Sequence, residues 1–357
     1  MKERTITGVK PTGTPHVGNY IGAIKPALDL AKDENREAFY FIADLHALNS
    51  IQNGTQLKQL TYEVAATWLA LGLDPETSMF YRQSDITEVV QLQWVLSSVT
   101  SKGLMNRAHA YKARVDANRS EGKTDDDRVN MGLFNYPVLM AADILLFQAD
   151  DVPVGKDNIQ HIEMARDIAG SYNNYYGTTF KLPDFFITEE TAIIPGLDGR
   201  KMSKSYDNTI PLFVEEAKLK KLVNRITTDS LPPDAPKEVE GSTLFSLYRA
   251  FATTMETRQM KDAFAKGISY GEVKRELFAV MNRELTEPRL KYQELLYNKN
   301  IIDRLLAQGA EKVRPIAKEK LSEVNQRIGL ILNFPSILVV KVKPMVKLST
   351  TQTWKEA

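Results

Sequence analysis

The run Ala38-Phe39-Tyr40-Phe41-Ile42-Ala43 carries no charge and no polar face. An amphipathic strand or helix offers one side to water; this segment has none to offer, so it suits a strand buried on both faces. Such strands belong to parallel sheets, whose helical crossovers cover both sides. The flanking pattern agrees. Residues 5–9 read as a strand ended by Lys10-Pro11-Thr12-Gly13-Thr14-Pro15. A helix follows from His16 to about Ala31, with Ile21, Ile24, Ala27, Leu28 and Ala31 near helical spacing. Helices are predicted over 57–71 and 87–99, with a strand at 78–82 between them. Residues 116–128 are polar and aperiodic and read as a mobile surface loop. Beyond it come a strongly apolar helix over 133–147, a strand at 151–154, an amphipathic helix over 157–169 and short strand segments at 185–187 and 192–194. The expected fold class is α/β, a Rossmann-like doubly wound parallel sheet.

From Pro211 onward strand signals nearly vanish. Helices are predicted over 242–254, 259–265, 270–285, 289–297 and 301–328. The 357 residues therefore divide into an α/β part, 1–208, with a helical insertion at about 100–150, an all-helical domain, 209–330, and a tail, 331–357, of no assigned role. A net charge of +1 conceals an asymmetry: residues 1–206 carry 21 Lys+Arg against 26 Asp+Glu, and residues 207–357 carry 25 against 19. The later part is suited to a phosphate backbone, the earlier to small molecules, although two ordinary surfaces would also give such a split. There is no cysteine, which excludes disulfides and thiolate metal sites. No 18-residue apolar stretch and no apolar leader in residues 1–13 occur, so a cytoplasmic protein without membrane partners is expected.

Two short segments carry phosphate chemistry. Lys201-Met202-Ser203-Lys204-Ser205 places two lysines three apart on a loop loosened by Gly196 and Gly199, able to aim two ammonium groups at one polyphosphate. Taken alone, such a pair is equally a solvated face. Pro15-His16-Val17-Gly18-Asn19 puts an imidazole and a carboxamide at a helix start, where backbone N–H groups favour an anion; an ordinary polar cap has the same residues.

Together, the two segments resemble the paired signatures of class I aminoacyl-tRNA synthetases, HVGN (16–19) for the first and KMSKS (201–205) for the second. Asn-Tyr-Pro-Val-Leu-Met-Ala-Ala-Asp-Ile-Leu at 135–145 resembles the amino-acid pocket helix of the tryptophanyl-tRNA synthetases within the tyrosyl/tryptophanyl subclass. Met140, Asp143 and Phe147 share one helical face; a thioether packs well on an indole, and an ionised carboxylate suits a group that can only donate. An Asp bonded to neighbouring backbone would look the same.

The resemblance implies tryptophan activation by ATP with Mg²⁺, transfer to tRNA(Trp), a homodimer and an anticodon-binding role for the helical domain. It assigns catalytic contacts to His16, Asn19, Lys112, Lys201 and Lys204. ATP falls to Lys10, Pro11, Thr12, Gly18, Asn19, Gly155, Lys156, Asp157, Ile193 and the loop of Lys201, Met202, Ser203, Lys204 and Ser205. L-Tryptophan falls to Asp44, His46, Tyr136, Met140 and Asp143, with no protein ligand to the metal. Lys10 and Asn158 each stand where the family more usually has Gln. A tyrosyl-tRNA synthetase, an HxGH-type nucleotidyltransferase and a catalytically silent tRNA-binding paralogue share parts of this pattern.

Overall fold

The structure, a computed structural model, describes residues 2–155, 159–186 and 194–330. Lys156, Asp157, Asn158, Ile193 and the tail 331–357 lie outside the described residues, as do parts of the strand segments expected at 185–187 and 192–194.

Among the described residues five strands, β1 (Glu3–Val9), β2 (Arg36–Ile42), β3 (Met79–Arg82), β4 (Asp151–Pro153) and β5 (Asp184–Phe186), form one parallel sheet in the order β3-β2-β1-β4-β5. The order reverses between β1 and β4, the crevice where open α/β sheets bind ligands at their carboxyl edge. The apolar run is β2, whose Phe39, Tyr40 and Ile42 are fully buried. Its faces feed different clusters: Phe39 and Phe41 pack under the layer of α5 (Thr87–Val99), α8 (Met131–Leu146) and α9 (Ile159–Tyr176), Tyr40 and Ile42 under α4 (Gly54–Ala70).

The helix after β1 starts as α1 (Val17–Asn19), widens to a π turn at Tyr20–Ile24 and continues as α2 (Lys25–Leu30). Pro26 accounts for the widening, because it lacks the N–H that would bond the carbonyl four residues back. Short helices α3 (Asp44–Ala47) and α6 (Lys102–Met105) follow β2 and α5. Residues 116–120, expected as loop, form the last turns of α7 (His109–Ser120). The turn beyond is tied by buried Asn118, which donates to the carbonyls of Asp125 and Asp127, and by Arg119 on Asp125. These bonds supply what the absent apolar period did not.

The later helices are α10 (Glu216–Asn224), α11 (Thr243–Phe251), α12 (Thr254–Lys266), α13 (Tyr270–Tyr297) and α14 (Lys299–Arg327). The break expected near Pro288 is not made: α13 runs through it, because packing on both flanks outweighs one lost backbone bond. Helix α14 returns to the sheet. Its Val313, Ala317 and Val324 join the α5–α8–α9 core, and Gly309 lies so close to β3 that a Cβ there would meet the Phe80 carbonyl oxygen at 1.8 Å. Two cores thus flank the crevice, one on the sheet and one built from α10–α13.

Candidate functional site

The first signature is held by its own capping box. His16 is the N-cap of α1; its Nδ1 accepts from the Asn19 N–H at 3.3 Å, while its own N–H donates to Asn19 Oδ1 at 3.0 Å. An accepting Nδ1 fixes the neutral tautomer with the proton on Nε2, so the outer nitrogen is a donor. Burial, and secondarily the Lys204 charge, lowers the His16 pKa to about 4. The imidazole therefore meets an anion as a neutral N–H donor at physiological pH.

The second signature is brought against the first across 184 residues. The Gly18 N–H points at Met202 Sδ, 3.2 Å away, and the Val17 N–H donates to the Ile210 carbonyl at 2.9 Å. Val17 and Met202 are buried in the same helical core, so apolar packing fixes both loops from behind. The loop itself is a tight hairpin: Met202 N–H donates to the Ile194 carbonyl at 2.8 Å and Gly196 N–H to the Arg200 carbonyl at 2.7 Å. Lys201 points to solvent, and Lys204 lies across Gly13, where a Cβ would stand 2.4 Å from its Nζ. Gly13 has φ 146°, a left-handed value that a side chain would also resist. Desolvation holds the ammonium groups of Lys204 and Lys10 below the ordinary lysine value. Both side chains remain exposed, and partly desolvated cations at a strand-end crevice gain by meeting phosphate. Buried Pro11 and exposed Thr12 complete the first loop, closed by a Thr12 N–H bond to the Lys10 carbonyl at 2.9 Å.

The pocket helix α8 lies across the same edge. Asp143, 3% exposed, accepts from Gln83 Nε2 at 2.8 and 2.9 Å and pairs with His46 Nε2 at 2.9 Å. Burial raises the Asp143 pKa, against the pull of His46 and Gln83 toward the ionised form. Tyr136 stands over this group, its ring edge-on to His46 at 6.4 Å and its hydroxyl bonded to His161 Nε2. Burial pushes the Tyr136 hydroxyl to about 12, so it stays protonated. Met140 is half-buried beside them, whereas Phe147 turns wholly into the sheet core against Phe39 and Tyr81.

Gln83 and His161 belong to this network and were missed in the sequence, each a single polar residue with no local pattern. Asn208, beyond the loop signature, was missed likewise. Asp44 is occupied locally: it accepts from the N–H groups of Leu45 and Ser84, both at 3.0 Å, and from the Ser84 hydroxyl, joining the ends of β2 and β3. Lys112 stands on the exposed side of α7 near Asn106, Asp116 and Arg119, in a polar hollow of its own. Gly155 ends the described segment after β4, so the expected contacts of Lys156, Asp157 and Ile193 lie outside the described residues.

Residues 2–286 match the family model of tRNA synthetases class I (W and Y). The chain is 50% identical to the tryptophan–tRNA ligase of Neisseria meningitidis over 330 residues, covering 92% of this chain and 98% of that one. It is also 50% identical to the Xanthomonas campestris tryptophan–tRNA ligase over 332 residues, 92% of this chain and 77% of that one. Among solved structures, the Campylobacter jejuni tryptophanyl-tRNA synthetase complexed with ADP and tryptophan superposes with a TM-score of 0.82 at 44% identity, covering 92% of this chain and all of that one.

Proposed function

The chain belongs to the class I tRNA synthetases of the tryptophan and tyrosine group, and from that premise we propose that it activates L-tryptophan with ATP and transfers it to tRNA(Trp). The observation that carries the reading is the meeting of the two signatures at the β1–β4 crevice, Gly18 N–H on Met202 Sδ, beside a buried carboxylate suited to an indole N–H. Gln83 and His46 hold that carboxylate in place, and the half-buried Met140 offers a thioether to the ring. Phenylalanine has no N–H to add to the donors of Gln83 and His46, so it forgoes the bond an indole would make to Asp143.

The tryptophan carboxylate is already ionised and attacks the α-phosphate in line, forming a P–O bond as pyrophosphate leaves with the electron pair. No general base is needed, so catalysis is positioning and charge stabilisation. His16 Nε2–H holds a phosphate oxygen, while Lys201 and Lys204 meet the charge growing on pyrophosphate. MgATP is the substrate form. The groups at the phosphate edge are ammonium and N–H donors, which do not ligate a cation, so the ion would travel on the phosphates. The adenylate then acylates the 2′-hydroxyl of the terminal adenosine.

The helical segment, 209–330, takes the anticodon, in keeping with the positive balance after residue 207 and exposed Lys218, Lys220 and Lys221 on α10. A homodimer forms over the apolar face of Val90 and Trp94 on α5, beside Leu45, the tryptophan 76% exposed. No helix among the described residues is long and apolar enough to cross a membrane, and we assign the protein to the cytoplasm. Pyrophosphate–ATP exchange run with tryptophan, with tyrosine and with no amino acid tests the reading: exchange is expected with tryptophan alone. Exchange with tyrosine, or without amino acid, would replace it.

A further inference from the structure

Asn208 is 2% exposed at the foot of a loop whose lysines face solvent. Its side chain uses both ends of the amide. Oδ1 accepts from the Ser203 N–H at 2.8 Å, and Nδ2 donates to the Lys201 carbonyl at 3.1 Å and to Asp198 Oδ1 at 2.7 Å. The residue gripped between those backbone contacts is Met202, which separates Lys201 from Ser203 and Lys204. The Asn208 carbonyl accepts from the Leu197 N–H at 2.9 Å. The Asn208 hydrogen-bond partners among the described residues all fall within the loop, 197–203.

The surroundings are shaped for this amide. A Cβ at Gly196 would stand 2.4 Å from Asn208 Cγ and 2.6 Å from its carbonyl oxygen, so the hairpin leaves room only by carrying glycine there. Asp207 adopts φ 49°, a left-handed turn that carries the chain back beneath the loop. On the far side Asp198 also accepts from Arg200 Nε at 2.7 Å, and the Arg200 guanidinium lies 4.4 Å from the centre of the Tyr206 ring. Neither aspartate nor leucine replaces an amide here: the first lacks the donor, the second lacks both.

We propose that Asn208 is a positioning residue for amino-acid activation, its buried amide fixing the loop backbone on both sides of Met202 so that Lys201 and Lys204 are aimed together. It touches no substrate and acts through the lysines. The proposal rests on the tryptophan-activation reading above. A loss of alignment of about 1 Å is worth up to about 10²-fold in rate.

The test uses the full chain in tryptophan-dependent pyrophosphate–ATP exchange. Asn208→Ala is expected to lower kcat by about 10²-fold with the tryptophan KM unchanged. Asn208→Asp keeps the acceptor, loses the donor and sets a carboxylate against that of Asp198. Its kcat is expected to fall at least as far as that of Asn208→Ala, because two carboxylates then face each other where a donor stood. Both variants should still pass tryptophan from added tryptophanyl-adenylate to tRNA(Trp), a step in which no pyrophosphate leaves. A wild-type kcat for Asn208→Ala, a rise in tryptophan KM matching its loss of kcat, a wild-type kcat for Asn208→Asp, or loss of the transfer step would each overturn the proposal. Absence of tryptophan-dependent exchange in the wild type would instead remove the underlying reading.

Discussion

The two ends of the crevice are built on different materials. At the pocket end, polar groups are buried and already paired: Asp143 with Gln83 and His46, Tyr136 with His161, all carried on the sheet core. At the phosphate end, Val17 and Met202 anchor two loops in the α10–α13 core, and the charged groups, Lys10, Lys201 and Lys204, face outward. A neutral ring needs a site finished in advance, because each unmet polar group is costly once water has left. A polyphosphate brings its own charge, and cations held partly desolvated are completed by it. Separate anchoring means that each end can be damaged without the other.

The largest break is expected at Lys204. Lys204→Ala removes a charge-stabilising donor, and activation should fall by roughly 10²–10³-fold while tryptophan binding is retained. Exchange kinetics at saturating tryptophan measure the first, and fluorescence titration with tryptophan the second. A near wild-type rate would take Lys204 out of the chemistry; lost tryptophan binding would show that the two ends are not independent.

Damage at the pocket end should show the reverse split. Asp143→Ala leaves an indole N–H without its acceptor, and the tryptophan KM is expected to rise by about 10²-fold with the ATP KM unchanged. Gln83→Leu keeps the carboxylate but removes one of its donors, for a rise of about 10-fold, the scale of a bond to a charged group. Unaltered discrimination against phenylalanine in Asp143→Ala would end the indole role. A larger effect from Gln83 than from Asp143 would mean that the amide, not the carboxylate, reads the substrate.

The same division explains what could be read from the chain alone. Local signals were legible: the two-face burial of β2, the helix start at His16 and the apolar helix carrying Met140 and Asp143. Gln83, His161 and Asn208 were not, because a lone polar residue becomes part of a site only when distant segments close on it. Gln83 meets Asp143 across 60 residues. Helix α14 was legible as a helix but not in its destination. Gly309 costs a helix interior about 1 kcal/mol relative to alanine, and only the approach of the Phe80 backbone gives the reason. The Asn118 bonds that tie the turn after residues 116–120 gave no apolar period to find.

The effect on catalysis is smallest for pH, which acts through stability and has opposite signs at the two ends. His16 is held to about 4 by burial and by Lys204, below the ordinary 6.5. Between those values the unfolded chain binds a proton that the folded chain does not. The stability His16 contributes is therefore complete above about pH 6.5 and lost as pH falls toward 4, up to about 3 kcal/mol. Asp143 is displaced the other way, its carboxyl raised by burial, so protonation on acidification relieves the pocket end. His16→Asn keeps a capping acceptor without a titrating ring and should flatten the loss of thermal stability between pH 7 and about 4.5. Asp143→Asn should steepen it. Melting both variants beside the wild type at the two pH values separates the ends by sign, and equal slopes in all three would show that neither group governs the acid limb.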